Sequence, residues 1–388
     1  MAILNRIAEF GADMTAWRRH LHAEPELMFD TIDTAGFVVE QLKAFGVDRI
    51  ETGVAQNGVV AVIEGQGPGP TVGLRADMDA LPIQETGAVP YASHRPGVMH
   101  ACGHDGHTAM LLGAARYLAE TRAFQGRATL VFQPAEEGGG GGRVMVEAGV
   151  MQRYGIDQIY ALHNWPGVAP GQINIVEGAA MASGDQFDIE IRGRGGHAAT
   201  PHLTVDPVMV AMQIGVALQT IVSRTLDPLA RAVLTITRCT AGNTYNVIPE
   251  TAHLAGTVRT LDPEERTALA ERLQTMAETL AAGFGAEARV AYHYGYPPTV
   301  NDAAATAFAG TVAEEICGAA GLQRNARPSL AAEDFSYMLE AVPGAYVFIG
   351  NGASAGLHTS DYDFNDEIAP TGASFLARLV ERAGPLAR

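Results

Sequence analysis

Between residues 59 and 180, short apolar runs alternate with stretches whose apolar positions recur at helical spacing. VVAVIEG (59–65), TVGLRADMD (71–79), ATLVFQP (128–134) and IYALHN (159–164) read as buried strands, with helices across 105–121 and near 142–149 between them. Strands that alternate with helices predict an α/β layer fold. Near Ser183 the pattern changes. QFDIEIRG (186–193) places Phe187, Ile189 and Ile191 on one face of a strand. A helix over about 207–223, strands at 232–239 and 251–261, a helix opening at Pro263 with Glu264 and Glu265 in its first turn, and a strand at 288–296 follow. That order, β-α-β-β-α-β, is ferredoxin-like. The α/β pattern then resumes through the helix-rich 302–342, a strand at 345–352 and a terminal helix at 370–384. The expected organisation is a discontinuous first domain, 1–182 with 295–388, and an α+β domain inserted at 183–294.

The chemically unusual residues fall where the predicted strands end, the edge at which open α/β sheets bind ligands. Met99–His107 (MHACGHDGH) holds one thiol and three imidazoles. Cys102 and His104, two apart across a glycine, can turn toward one point, and thiolate with imidazole suits zinc or a similar ion. QPAEEGGGGG (133–142) sets Glu136 and Glu137 after a strand; neighbours there face opposite sides, so one can ligate while the other stays available as a base. The glycines that follow leave room for a substrate to approach the backbone. His163 ends another strand, and His358 lies in the loop GLHTSD. Cys102, His104, Glu137, His163 and His358 are five ligands, too many for one open tetrahedral ion and suited to two ions with a thiolate bridge, for which Cys102 is the candidate. Asp77 and Asp79 share a strand face, as ligands or as groups that orient ligands, the latter favoured for Asp79. His100, Asp105 and His107 are either supporting or structural, and Asp105 is placed to cap the helix that starts there. In the inserted domain, His197 on the loop GRGGHAATPH either donates to an oxyanion or belongs to a surface turn. Arg259 suits a substrate carboxylate or a structural ion pair.

A formal charge of −17 argues against nucleic acid or anionic membrane as a partner and leaves a small molecule. Three separated cysteines, Cys102, Cys239 and Cys317, make no disulfide framework and point to a reducing compartment, the cytoplasm. No signal peptide and no run of about 18 apolar residues is expected.

RADMDALP, MHACGHDGH, QPAEEGGGG, GRGGHAATPH, NVIP and GLHTSDYDF, with WRRHLHAEPEL at 17–27, together resemble the binuclear metallo-amidohydrolases that include hippurate hydrolase, bacterial N-acyl-amino-acid aminoacylases and plant auxin-conjugate hydrolases. The resemblance covers nearly the whole chain. It implies a zinc-peptidase-like catalytic domain with a ferredoxin-like satellite that mediates dimerisation, and hydrolysis of N-acyl amino acids by two divalent metal ions, zinc first, with manganese, cobalt or nickel as alternatives. It further implies Glu136 as general base, His197 reaching a partner's site in a homodimer, and Asn246 and Arg259 near the substrate carboxylate. Asp77 and Cys102 depart from wider zinc-peptidase relatives, which carry a histidine and an aspartate there. The competing expectations are a metallo-dipeptidase or carboxypeptidase on the same scaffold, and a non-catalytic binding protein.

Overall fold

A computed structural model describes residues 3–386. The chain divides into two compact units: Met1–Ala180, Val300–Arg327 and Asp334–Arg388 form the first, Met181–Thr299 with Pro328–Glu333 the second. The short segment Pro328–Glu333 belongs with the second unit although no pattern in the sequence marks it off.

The first unit opens with helices α1 (Gly11–Ala23) and α2 (Ile32–Ala44), strands β1 (Arg49–Val54), β2 (Gly58–Glu64) and β3 (Thr71–Asp77), and helix α3 (His104–Thr121). Strand β4 (Arg127–Gln133), helix α4 (Gly141–Glu147), β5 (Gln158–Pro166) and β6 (Ile173–Ile175) follow. In the second unit, β7 (Gly184–Arg192), α5 (Pro207–Thr220), β8 (Ala232–Ala241), β9 (Thr251–Thr260), α6 (Pro263–Gly283) and β10 (Glu287–Tyr296) run in the anticipated order. The first unit then resumes with α7 (Ala303–Cys317), β11 (Leu322–Arg324), β12 (Gly344–Gly352) and α8 (Ala369–Arg382).

The first unit's sheet has the order β1-β2-β4-β3-β5-β12-β6-β11. Its central strands β4, β3, β5 and β12 are mutually parallel and buried over nearly their whole length, as strands covered on both faces must be. Helix α3 is buried along most of its length and crosses α8 closely: a Cβ on Gly372 would lie 2.0 Å from Met110 Sδ, so a larger residue there would force Met110 to move. That contact fixes the helix whose first residue is His104.

The second unit's sheet, β8-β9-β7-β10, is antiparallel throughout, with α5 and α6 packed on one face around Phe187, Ile189, Ile191, Ile214 and Leu273. Pro207–Thr225 has the length and apolarity of a membrane span, with a mean hydropathy of 1.3. Val210, Ala211, Ile214 and Leu218 bury its inner face in this core, while Met209, Met212 and Val216 stay exposed.

A buried charge cluster ties α1 to the chain leading into α3. His22 meets Asp105 Oδ2 through Nδ1 (2.8 Å) and Glu85 Oε1 through Nε2 (3.3 Å), and Arg18 Nε donates to Asp366 Oδ1 (2.7 Å). Burial opposes a charge on His22, but the two carboxylates outweigh it and raise the imidazole to about 9 from 6.5. A raised folded-state pKa stabilises fully below 6.5 and stops doing so as pH climbs through about 9, a difference on the order of 3 kcal/mol. The melting-temperature gap between wild type and His22→Gln should therefore be largest near pH 6 and shrink toward pH 10. A gap that widens with pH would contradict this linkage.

Candidate metal centre

Because β4, β3, β5 and β12 are parallel, their C-terminal ends open on one edge. Asp77 ends β3 and Asp79 follows it, Glu136 and Glu137 follow β4, His163 lies near the end of β5, and His358 comes from the loop after β12. Cys102 and His104 arrive at the same edge from the start of α3. Gly103 between them has φ 89°, and a Cβ on it would meet Asn164 Nδ2 at 2.3 Å, so this turn requires glycine.

The donor atoms gather into five overlapping groups of three among the described residues, and two of these share Cys102. Those of Cys102, His104 and His163 all lie within 4.8 Å of one another, as do those of Cys102, Glu137 and His358. Within these two groups Cys102 Sγ is 3.5 Å from His163 Nε2 and His358 Nε2 is 3.4 Å from Glu137 Oε1, while His104 Nε2 of the first group is 3.8 Å from that oxygen of the second. Two ligands about 2.0–2.3 Å from one tetrahedral ion stand roughly 3.3–3.8 Å apart, the spacing seen here.

The imidazoles are oriented for ligation. His104 Nδ1 donates to the Asp79 carbonyl (2.8 Å) and His163 Nδ1 to the Asn164 carbonyl (2.6 Å), leaving each Nε2 lone pair aimed into the cluster. His104 Nε2 and Glu137 Oε1 are buried without a hydrogen-bond partner, a costly arrangement that a cation would resolve. Electrostatics agree. Burial, reinforced by Glu137, Glu136 and Asp77, pushes the Cys102 thiol well up, so its thiolate needs a positive neighbour. Burial works against a charge on His104, yet Asp77, Asp79 and Glu137 raise it to about 10, the mark of a site rich in negative charge. The donor set fits divalent metal.

A model of peptidase family M20/M25/M40 matches residues 73–382. The chain belongs to this family. It is 40% identical to hippurate hydrolase of Campylobacter jejuni over 380 residues, 98% of this chain and 99% of that one. Against N-acetyl-L-cysteine deacetylase of Bacillus subtilis it is 44% identical over 367 residues, 94% of this chain and 86% of that one. Among solved structures, a Bacillus subtilis dinuclear metal-binding peptidase of the M20 family superimposes with a TM-score of 0.84 at 35% identity, covering 97% of this chain and all of that one. Membership and donor set together make this M20 chain a metal-dependent hydrolase of amide bonds.

Several expectations change at the level of single side chains. Glu136 and Glu137 do not point to opposite sides: β4 ends at Gln133, the two acids sit in a turn, and their carboxylates come within 4.0 and 3.8 Å of His104 Nε2. The glycines after them make room for protein, since Cβ atoms on Gly139, Gly141 and Gly142 would collide with Phe29 and Ala135, the Pro134 carbonyl and Asp334. Asp105 caps nothing; it is spent on His22, and α3 begins one residue earlier. His100 is buried with neither ring nitrogen bonded within the protein, and burial lowers it to about 3. His107 Nδ1 donates to Asp77 Oδ1 (2.6 Å) and its Nε2 accepts from the Asn164 N–H (3.0 Å), so both residues brace the cluster.

In the second unit His197 and Asn246 come together. Val247 pairs with His197 across two short strands, and both side chains are exposed. Arg259 is not with them. It lies near the far end of β9, eight residues from Thr251 and so about 26 Å along the strand.

Two buried groups escaped the sequence reading. Arg75 Nη1 donates to Asp77 Oδ2 (2.7 Å), Nε to Gln133 Oε1 (2.9 Å) and Nη2 to Asp334 Oδ1 (3.0 Å), and Asp334 accepts from the Gly142 N–H (2.7 Å). The available signal was an arginine inside an otherwise apolar strand, TVGLRAD.

Asp79, 1% exposed, accepts the backbone N–H groups of Glu136 (2.9 Å) and Glu137 (3.1 Å) and thereby sets the carboxylate turn. Asp79→Ala should weaken metal affinity about 10–100-fold in competition with a chromogenic chelator. Unchanged affinity would show that the turn holds without it.

Proposed function

We propose that the chain hydrolyses the amide bond of N-acyl-L-amino acids, of the hippurate or N-acetyl-amino-acid type, to a carboxylic acid and a free amino acid. The observation that carries this reading is the pair of donor groups sharing Cys102, with the Glu136 carboxylate beside them. In it, Cys102 with His104 and His163 would hold one divalent ion, and Cys102 with Glu137 and His358 would hold a second; zinc is the first candidate, and manganese, cobalt and nickel follow. Bound there, the ions supply Lewis acidity that polarises the amide carbonyl and makes water acidic enough to attack near pH 7.

The protein's own groups carry the protons. Glu136, 7% exposed, is shielded from bulk water next to the donor cluster. Its carboxylate takes a proton from the attacking water and returns it to the leaving nitrogen, a role worth about 10²–10⁴ in rate. Asp79 keeps that carboxylate in place through the backbone of the turn. His197 donates to the developing oxyanion, a contact worth about 2.7–4 kcal/mol in comparable sites. Asn246 and Arg259 bind the substrate carboxylate.

The separation of His197 and Asn246, at a two-stranded pairing of their own, from Arg259 near the far end of β9 supports a homodimer in which one site draws on both subunits. The edge strand β8 and the exposed Met209, Met212 and Val216 support the second unit as the joining surface. The small substrate, the acidic surface and three unpaired thiols support a cytoplasmic enzyme without nucleic-acid or membrane partners.

Glu136→Gln should lower hippurate turnover at least about 10²-fold while metal content by elemental analysis stays at the wild-type level; wild-type turnover would refute the base assignment. Mixed dimers of His197→Ala and Glu136→Gln subunits should recover part of the activity that either homodimer lacks. Silence in a verified heterodimer would place His197 at its own subunit's site. Activity on free dipeptides above that on acyl amino acids would favour a peptidase.

A further inference from the structure

The segment after α1 is fastened to the rest of the first unit at several points, and Met28 on it lies partly exposed over the turn of the two glutamates. The Ala80 N–H donates to the Glu26 carbonyl (2.7 Å), Leu27 bridges to Ala80, and Asn57 Nδ2 donates to the Phe29 carbonyl (2.6 Å). The Glu26 carboxylate receives the N–H groups of Asp33 and Thr34 at the start of α2 (3.2 and 2.8 Å). Between these ties Met28 adopts φ 53°, a left-handed backbone that an unbranched non-glycine residue takes at a cost. Its side chain is 38% exposed and lies over the turn that carries the two glutamates: a Cβ on Gly138 would be 3.3 Å from Met28 Cε and 3.4 Å from Sδ. Two other strained non-glycine residues belong to the same edge. Ala135 (φ 57°) precedes Glu136, and His358 (φ 62°) is itself a donor. Strain of this kind concentrates where a side chain is held for a ligand.

We propose that Met28 is a specificity-determining residue that forms the wall of the acyl subsite, receiving the apolar part of the acyl group beside Glu136 and Glu137. This rests on the amide-hydrolase reading above. The choice of the acyl end over the amino-acid end follows from charge. The amino-acid end carries a carboxylate and needs cationic or donor partners, whereas the Met28 thioether lies against Gly138 and offers neither. A flexible thioether suits acyl groups of varied shape.

The test measures kcat/KM for N-acetyl-, N-hexanoyl- and N-benzoyl-glycine, and for N-benzoyl derivatives of other amino acids, with wild type, Met28→Gly and Met28→Trp. Glycine accepts the left-handed backbone, so its variant removes the wall without added strain. Met28→Gly should lose about tenfold on benzoyl and hexanoyl substrates with little change on acetyl, and Met28→Trp should exclude benzoyl while it retains acetyl. The order of amino-acid preference at fixed acyl group should be unchanged. A uniform change across acyl groups, or a reordering by amino acid, would overturn the assignment. Wild-type inactivity on every substrate would instead count against the hydrolase reading. Calorimetric binding of benzoate to the metal-loaded protein then decides for Met28, since equal affinity in wild type and Met28→Trp would also overturn it.

Discussion

One buried cation, Arg75, holds together the strands that carry the candidate metal donors. Its guanidinium, 3% exposed, bonds at once to Asp77, Gln133 and Asp334. A charge taken out of water is tolerable only when its partners are complete, and removing one side of such a pair costs about 3–5 kcal/mol. Burial works against ionisation of Asp77, yet His104, Arg75 and His107 hold it well below the usual carboxylate range. Asp77 thus stays charged and orients His107, which receives the Asn164 N–H next to His163. On the other side Asp334 holds the Gly142 N–H at the end of the glycine-rich turn. Strands β3, β4 and β5 are therefore locked in register at the edge where the donors converge.

This bracing explains how a site so rich in acid can persist. Asp77, Asp79, Glu136 and Glu137 surround one thiol and a few imidazoles, and burial raises Asp79 as well as Cys102. Backbone donors absorb Asp79, Arg75 absorbs Asp77 and Asp334, and the remaining excess falls on Glu137, Cys102 and His104. A divalent ion held by these residues would supply compensating positive charge where the unsatisfied donor atoms point.

Strand and helix periodicity made both layers legible because each element has one dominant environment. The residues that gather at the sheet edge were legible because a cysteine, several histidines and paired acids recur together at predicted strand ends. The directions of those side chains were not. Glu136 and Glu137 converge because their backbone has left the strand, and only the acceptor Asp79, more than fifty residues earlier, shows why. Asp105 looks like a cap until His22, far back along the chain, claims it. Arg75 and Asp334 lie 259 positions apart, and no local pattern announces such a pair. What the sequence withholds is long-range polar partnership, since one hydrogen-bonding residue looks much like another until its partner is known.

The central claim is that Cys102 joins two metal sites. Anomalous diffraction at the zinc edge from crystals of the zinc-loaded protein tests it most directly. Two peaks are predicted, each about 2.3 Å from Cys102 Sγ, one also at His104 and His163 and the other at Glu137 and His358. A single peak, or two with Cys102 outside the coordination of either, would contradict the account.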